Sequence, residues 1–148
     1  MDFSILDTIY QLCPNDPAKA MTYIKECLIA EDINAHWGTS YEAQMNCAYE
    51  GVDLVSPLSS EPPIQSKTSA MRPSYIIGKS STVQAICDKA LAVHPDALFS
   101  FAFIQGSQII EHLIGPAKLL DGFRTRAGKH AHSISFKQLR ELGFEDLC

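Results

Sequence analysis

Residues 98–104 read Leu-Phe-Ser-Phe-Ala-Phe-Ile, with phenylalanines at 99, 101 and 103. Side chains alternate along a strand with a period of two, so this pattern sends three aromatic rings to one face and Ser100 and Ala102 to the other. A seven-residue stretch with so little polar content is expected to be buried, which predicts a central strand from Leu98 to Ile104. Whatever else the chain forms must supply neighbours for that strand and cover for its faces.

Helical patterns are the main candidates. Asp2 or Ser4 can cap a first helix with Phe3, Leu6, Ile9 and Tyr10 on one side and Pro14 as its stop. Asp16 followed by Pro17 is an N-cap with proline at the first helical position, and Ala20, Met21, Ile24, Cys27 and Leu28 form a stripe to about Ala30. Thr39 and Glu42 stand in capping-box register before Tyr41, Met45, Ala48 and Val52, which predicts a third helix ending at Gly51. Further on, Tyr75-Ile76-Ile77 predicts a short strand. Ser81 and Gln84 then open a helix carrying Val83, Ile86, Cys87, Ala90 and Leu91 inward until His94-Pro95. Ser107 before the helically spaced Ile109, Ile110, Leu113 and Ile114 predicts another helix, the rival being a return strand through a Gln105-Gly106 hairpin. Ser135 with Gln138 makes a last capping box, closed by Gly143, from which Phe144 can fold back on Leu139.

Between Asp53 and Arg72 the composition turns to serine and proline with no period, which predicts a loop or linker. The expected organisation is one α+β domain over residues 1–148, compact and helix-rich with a small sheet in its C-terminal half. Its parts are an acidic helical stretch 1–52, a Ser/Pro-rich loop 53–72 and a mixed part 73–148 with a basic C-terminal segment. At 148 residues the chain can bury a core without staples.

Charge divides along the same line. Residues 1–66 hold ten acidic and two basic side chains, whereas residues 67–148 hold seven and ten, and the overall balance is −5. That asymmetry argues for two surfaces with different partners, or for a self-complementary molecule able to form a homo-oligomer. The longest apolar run falls far short of the roughly 20 residues of a membrane-spanning helix, and Met1-Asp2-Phe3-Ser4 has no basic signal-peptide region. A cytoplasmic protein without membrane contact is the expectation. The five cysteines are odd in number, scattered and without a Cys-x-x-Cys pair, as reduced, structural thiols are.

Chemistry-bearing patterns are few. Ile77-Gly78-Lys79-Ser80 resembles the end of a phosphate-binding loop, but Pro73 stands where the first glycine belongs and offers no N–H to an anion. The residues 123–136 are richer. In an extended segment Arg124, Arg126, His130 and His132 share one face, and Lys129, Lys137 and Arg140 extend the positive charge, which suits phosphate or nucleic-acid contact. His130 and His132 could act there as acid and base in phosphodiester cleavage. The five histidines lack zinc-site spacing, so neither a metal nor a cofactor is called for. Around the only tryptophan, Trp37, Tyr41, Glu42 and Tyr49 combine aromatic anchors with negative charge, the composition of an interface hot spot. The first expectation is therefore a small protein-binding module, of inhibitor, immunity or accessory type. The alternative is an RNA- or phosphate-binding protein, at the extreme a small nuclease, working through residues 123–140.

Overall fold

The computed structural model describes residues 15–44, 52–70, 74–76 and 81–147. In chain order the elements are helix α1 (Pro17–Trp37), strands β1 (Glu42–Ala43), β2 (Leu54–Val55), β3 (Ile64–Ser69) and β4 (Ser74–Ile76), helix α2 (Val83–Val93), strands β5 (Leu98–Gln105) and β6 (Gln108–Pro116), a 3-10 turn (Ala117–Leu120), strand β7 (Ser133–Ser135), helix α3 (Phe136–Leu142) and strand β8 (Glu145–Asp146). This is an α+β fold. The helix expected before Pro14, Tyr49 and the Ile77–Ser80 stretch lie outside the described residues.

Strand β5 runs through the interior of a six-stranded sheet ordered β1-β2-β3-β5-β6-β8, parallel to β3 and antiparallel to β6, while β4 and β7 form a separate two-stranded ladder. The phenylalanine alternation does what its period demands. Phe99, Phe101 and Phe103 enter one core with α2, α3, Leu113 and Phe144. Ala102 and Ile104 enter a second core on the opposite face, with Ile29 and Ile33 of α1, Leu54, Ile64 and Ile114. Phe101 stacks on Phe99 with centroids 5.4 Å apart and meets Phe144 edge-on at 5.6 Å, both favourable aromatic geometries.

Three expectations are corrected. The residues expected to form a helix after Ser107 form β6, a return strand through the rival hairpin. Gly106 at φ +62° supplies the left-handed turn residue. Leu113 and Ile114 look helically spaced because β6 is buried on both faces. Residues 53–72 are not a linker: β2 and β3 lie within them, and β3 pairs along its full length with β5. Thr39 and Glu42 do not open a helix. Helix α1 runs on to Trp37 and stops at Gly38, φ +65°. Asn34 then clamps the chain that follows, its Oδ1 accepting from Thr39 Oγ1 at 2.7 Å and Tyr41 N at 2.8 Å while its Nδ2 donates to Tyr41 O at 2.9 Å.

Punctuation elsewhere follows the sequence closely. The N-cap of α2 is Thr82, one residue after the expected Ser81, its hydroxyl accepting from Ala85 N at 3.0 Å. Ser135 and Gln138 form the full capping box of α3, and Gly143 ends it at φ +109°. Phe144 N donates to Leu139 O at 3.0 Å, the expected fold-back.

Candidate functional site

The basic segment forms an exposed hairpin tip. Thr125 N donates to Lys129 O at 2.8 Å, Gly128 turns the chain at φ +77°, and Arg124 stands across from His130 in an isolated antiparallel bridge. Arg124, Arg126, Lys129, His130 and His132 are all exposed. Two of these five are occupied structurally: Arg124 Nη1 donates to Gly128 O at 3.1 Å, and His132 Nδ1 donates to Ser81 O at 2.5 Å. Lys137 lies exposed on α3. Arg140 is drawn away from the group, because its guanidinium pairs with Glu111 and, at 3.1 Å, with Asp146.

Of the aromatic group, Tyr41 is corrected from interface to core. It is 4% exposed, and its hydroxyl donates to Pro62 O at 2.6 Å. Burial pushes its phenol up to about 12. Glu42 is exposed on edge strand β1. Trp37 ends α1 with 43% of its surface exposed, and it walls a groove of 310 Å³ with Leu98, Ile114, Gly115, Pro116 and Glu145.

No protein-family model and no curated protein matches the chain.

Two polar constellations emerge that the sequence did not announce. The first is a relay in the α1-side core. Ser100 Oγ lies 2.5 Å from His112 Nε2, and His112 Nδ1 lies 2.8 Å from Asp32 Oδ2. The order serine, histidine, aspartate is that of an acyl-transfer triad, but that chemistry requires the hydroxyl to meet a substrate carbonyl. Ser100 is 0% exposed in mid-strand, so no carbonyl can approach it. The relay is an anchor: it satisfies the buried His112 and ties α1 to β5 and β6. Burial lowers the His112 pKa against the opposing pull of Asp32. Reading 109–114 as a helix hid this contact, since only strand alternation puts His112 on the α1 side with Ile114.

The second is a cleft between α1 and β3, lined by polar side chains only, among them Lys25, Glu26, Asp53, Ser66, Lys67 and Thr68, with a volume of 380 Å³. Glu26 is pushed up from 4.5 to about 8, first by burial and then by the charge of Asp53, with Lys67 opposing. Asp53 is also raised by burial, although Ser66 N donates to its Oδ2 at 3.1 Å and Lys67 lies close enough to pull it back. Carboxyls raised by burial in a concave site are candidates for function. No local motif could have revealed the cleft, because its two carboxyls come from residues 26 and 53 and it takes shape only when β3 is recognised as a strand.

The two described thiols, Cys27 and Cys87, are both pushed up by burial, away from the thiolate that a nucleophile needs. Cys87 is buried, donates to Ala117 O at 3.2 Å and is pushed up to about 11 by burial and by Asp121 and Asp88. Cys87, Asp88 and Asp121 bring potential ligand atoms within 4.8 Å of one another, but Asp88 and Asp121 already accept from Gln84 Nε2 at 2.8 and 2.7 Å.

Proposed function

We propose that the protein is a non-enzymatic binding module whose partner is another protein, held through the Trp37 groove. The observation that carries this reading is a large aromatic side chain left 43% exposed beside an open apolar groove. Tryptophan is among the residue types enriched at binding hot spots. Glu145 in the wall and the overall charge of −5 favour a partner that presents an apolar side chain ringed by basic residues.

The test is capture from a lysate of the source cells with wild-type protein and with Trp37→Ala, followed by titration of the captured partner. The expected loss on Trp37→Ala is at least about 2 kcal/mol of binding with the melting temperature nearly unchanged. A blue shift of the single tryptophan's emission in the complex is expected as well. Equal capture by both proteins, or a large fall in melting temperature, counts against the groove. The exposed Arg124 to His132 hairpin supports a second reading, phosphate or RNA contact. RNA binding that weakens steeply with salt and disappears on joint removal of Arg124 and Arg126 charge would favour it.

A further inference from the structure

We propose that the cleft between α1 and β3 is a binding site for a small zwitterion of amino-acid type, its ammonium set between Glu26 and Asp53 and its carboxylate directed to Lys25, Lys67 and the Ser66 hydroxyl. Three observations converge on this. The lining carries both signs of charge and no apolar side chain, so a ligand complementary to all of it must carry both signs too. The volume of 380 Å³ falls at the lower end of the roughly 300–1,000 Å³ typical of small-molecule sites. And Ser66, 7% exposed, holds its Oγ without a hydrogen-bond partner among the described residues.

That last feature is the costly one. A buried hydroxyl with no partner weakens the fold, and native proteins rarely keep one without a use. Ser66 shares the α1-facing side of β3 with Ile64 and Thr68, because side chains alternate and Ile64 packs against α1. Its hydroxyl is thereby directed to the side where Lys25 and Glu26 close the cleft. Gln65, one residue away and alternating to the other side of β3, does not share that direction, so the unpartnered group aimed at α1 is the Ser66 hydroxyl.

Other ligand classes fit less well. A hard divalent cation seeks six or more oxygens, and here two ammonium groups compete with it for two carboxyls. A phosphate would face Glu26 and Asp53. A lone organic cation would leave Lys25 and Lys67 unanswered. A zwitterion also explains why the carboxyls tolerate burial: its ammonium supplies the counter-charge that Lys67 alone cannot, and Glu26 gives up its proton when the ligand enters.

The experiment is calorimetric titration of the whole protein at pH 7 with glycine, L-alanine, L-serine and L-glutamine, and with methylammonium, acetate, glucose and magnesium chloride as contrasts. Saturable binding of at least one amino acid is expected, about tenfold or more tighter than methylammonium or acetate. Its heat should vary with the ionisation enthalpy of the buffer, because a proton is released. Glu26→Gln and Asp53→Asn, close in shape to the originals, should each weaken binding about tenfold while melting no lower than the wild type. Ser66→Ala should bind more weakly yet melt at the same or a higher temperature without ligand, since it removes an idle hydroxyl. No saturable heat up to about 20 mM amino acid, binding of glucose or magnesium as strong as that of any amino acid, or a Ser66→Ala protein that melts lower and binds as before would each overturn the assignment.

Discussion

Gly115 has no side chain because a phenylalanine occupies the space. A Cβ built there would lie 2.8 Å from Phe144 Cδ1, and Phe144 in turn stands edge-on to Phe101. Gly115→Ala therefore forces the ring off its aromatic partner, and a loss of about 1–3 kcal/mol is expected in urea unfolding, as for other overpacked cores. Phe101→Ala at 1% exposure acts through the opposite mechanism, a cavity, and should cost about 3–5 kcal/mol. A loss below about 1 kcal/mol from Phe101→Ala would remove that ring from the core. These two residues also separate what a sequence can and cannot say. The burial of Phe101 follows from alternation with Phe99 and Phe103, whereas the role of Gly115 depends on a residue 29 positions later. Tyr41 and Trp37 make the same point: both are aromatic beside acidic residues, and only the clamp by Asn34 decides that Tyr41 goes inside.

Elements were legible where local rules decide and illegible where pairing decides. Helices α2 and α3 carry their own caps and apolar stripes, and β5 carries its alternation. Strand β3, Ile-Gln-Ser-Lys-Thr-Ser, has no apolar period of its own and exists because β5 offers it a full parallel edge. Strand β6 is apolar on both faces, and short runs of that kind fit a helix and a buried strand equally. The same misreading concealed the anchor of α1. With Asp32 replaced by alanine, His112 Nδ1 keeps its proton in the core without an acceptor, and unfolding should show a loss of about 1–3 kcal/mol. Asp32→Asn retains an acceptor oxygen and should lose less at neutral pH. It also removes the charge that props up the His112 pKa, so its deficit should widen as the pH falls below 6.5. Equal losses for the two variants across that range would mean that the contact is packing alone.

The whole molecule couples these groups through pH. Helix α1 contributes Glu26 to the cleft and Asp32 to the relay, so both titrations act on the same helix–sheet contact. Glu26 ionises near 4.5 when unfolded and near 8 when folded. Across that window the native state binds the proton and the unfolded chain does not, so stability falls as pH rises. Asp53, raised from 3.8, has the same sign. His112 has the opposite sign: its folded value is lowered from 6.5, so its contribution is complete above 6.5 and is lost as pH falls toward the folded value. The two effects offset each other in mildly acid solution, and above 6.5 the carboxyls alone tilt the curve. Maximum stability is thus expected below neutrality, followed by a decline from pH 6.5 to 8. Water reaches the cleft, so the decline is set at about 1 kcal/mol, or about 2–4 °C in melting temperature for a chain of this size. Glu26→Gln holds the neutral state at every pH. Its melting temperature should stay level over that interval and exceed the wild type's at pH 8, whereas a wild-type profile that is flat or rising there would place Glu26 in open solvent and take the cleft's central carboxyl out of the fold's energetics.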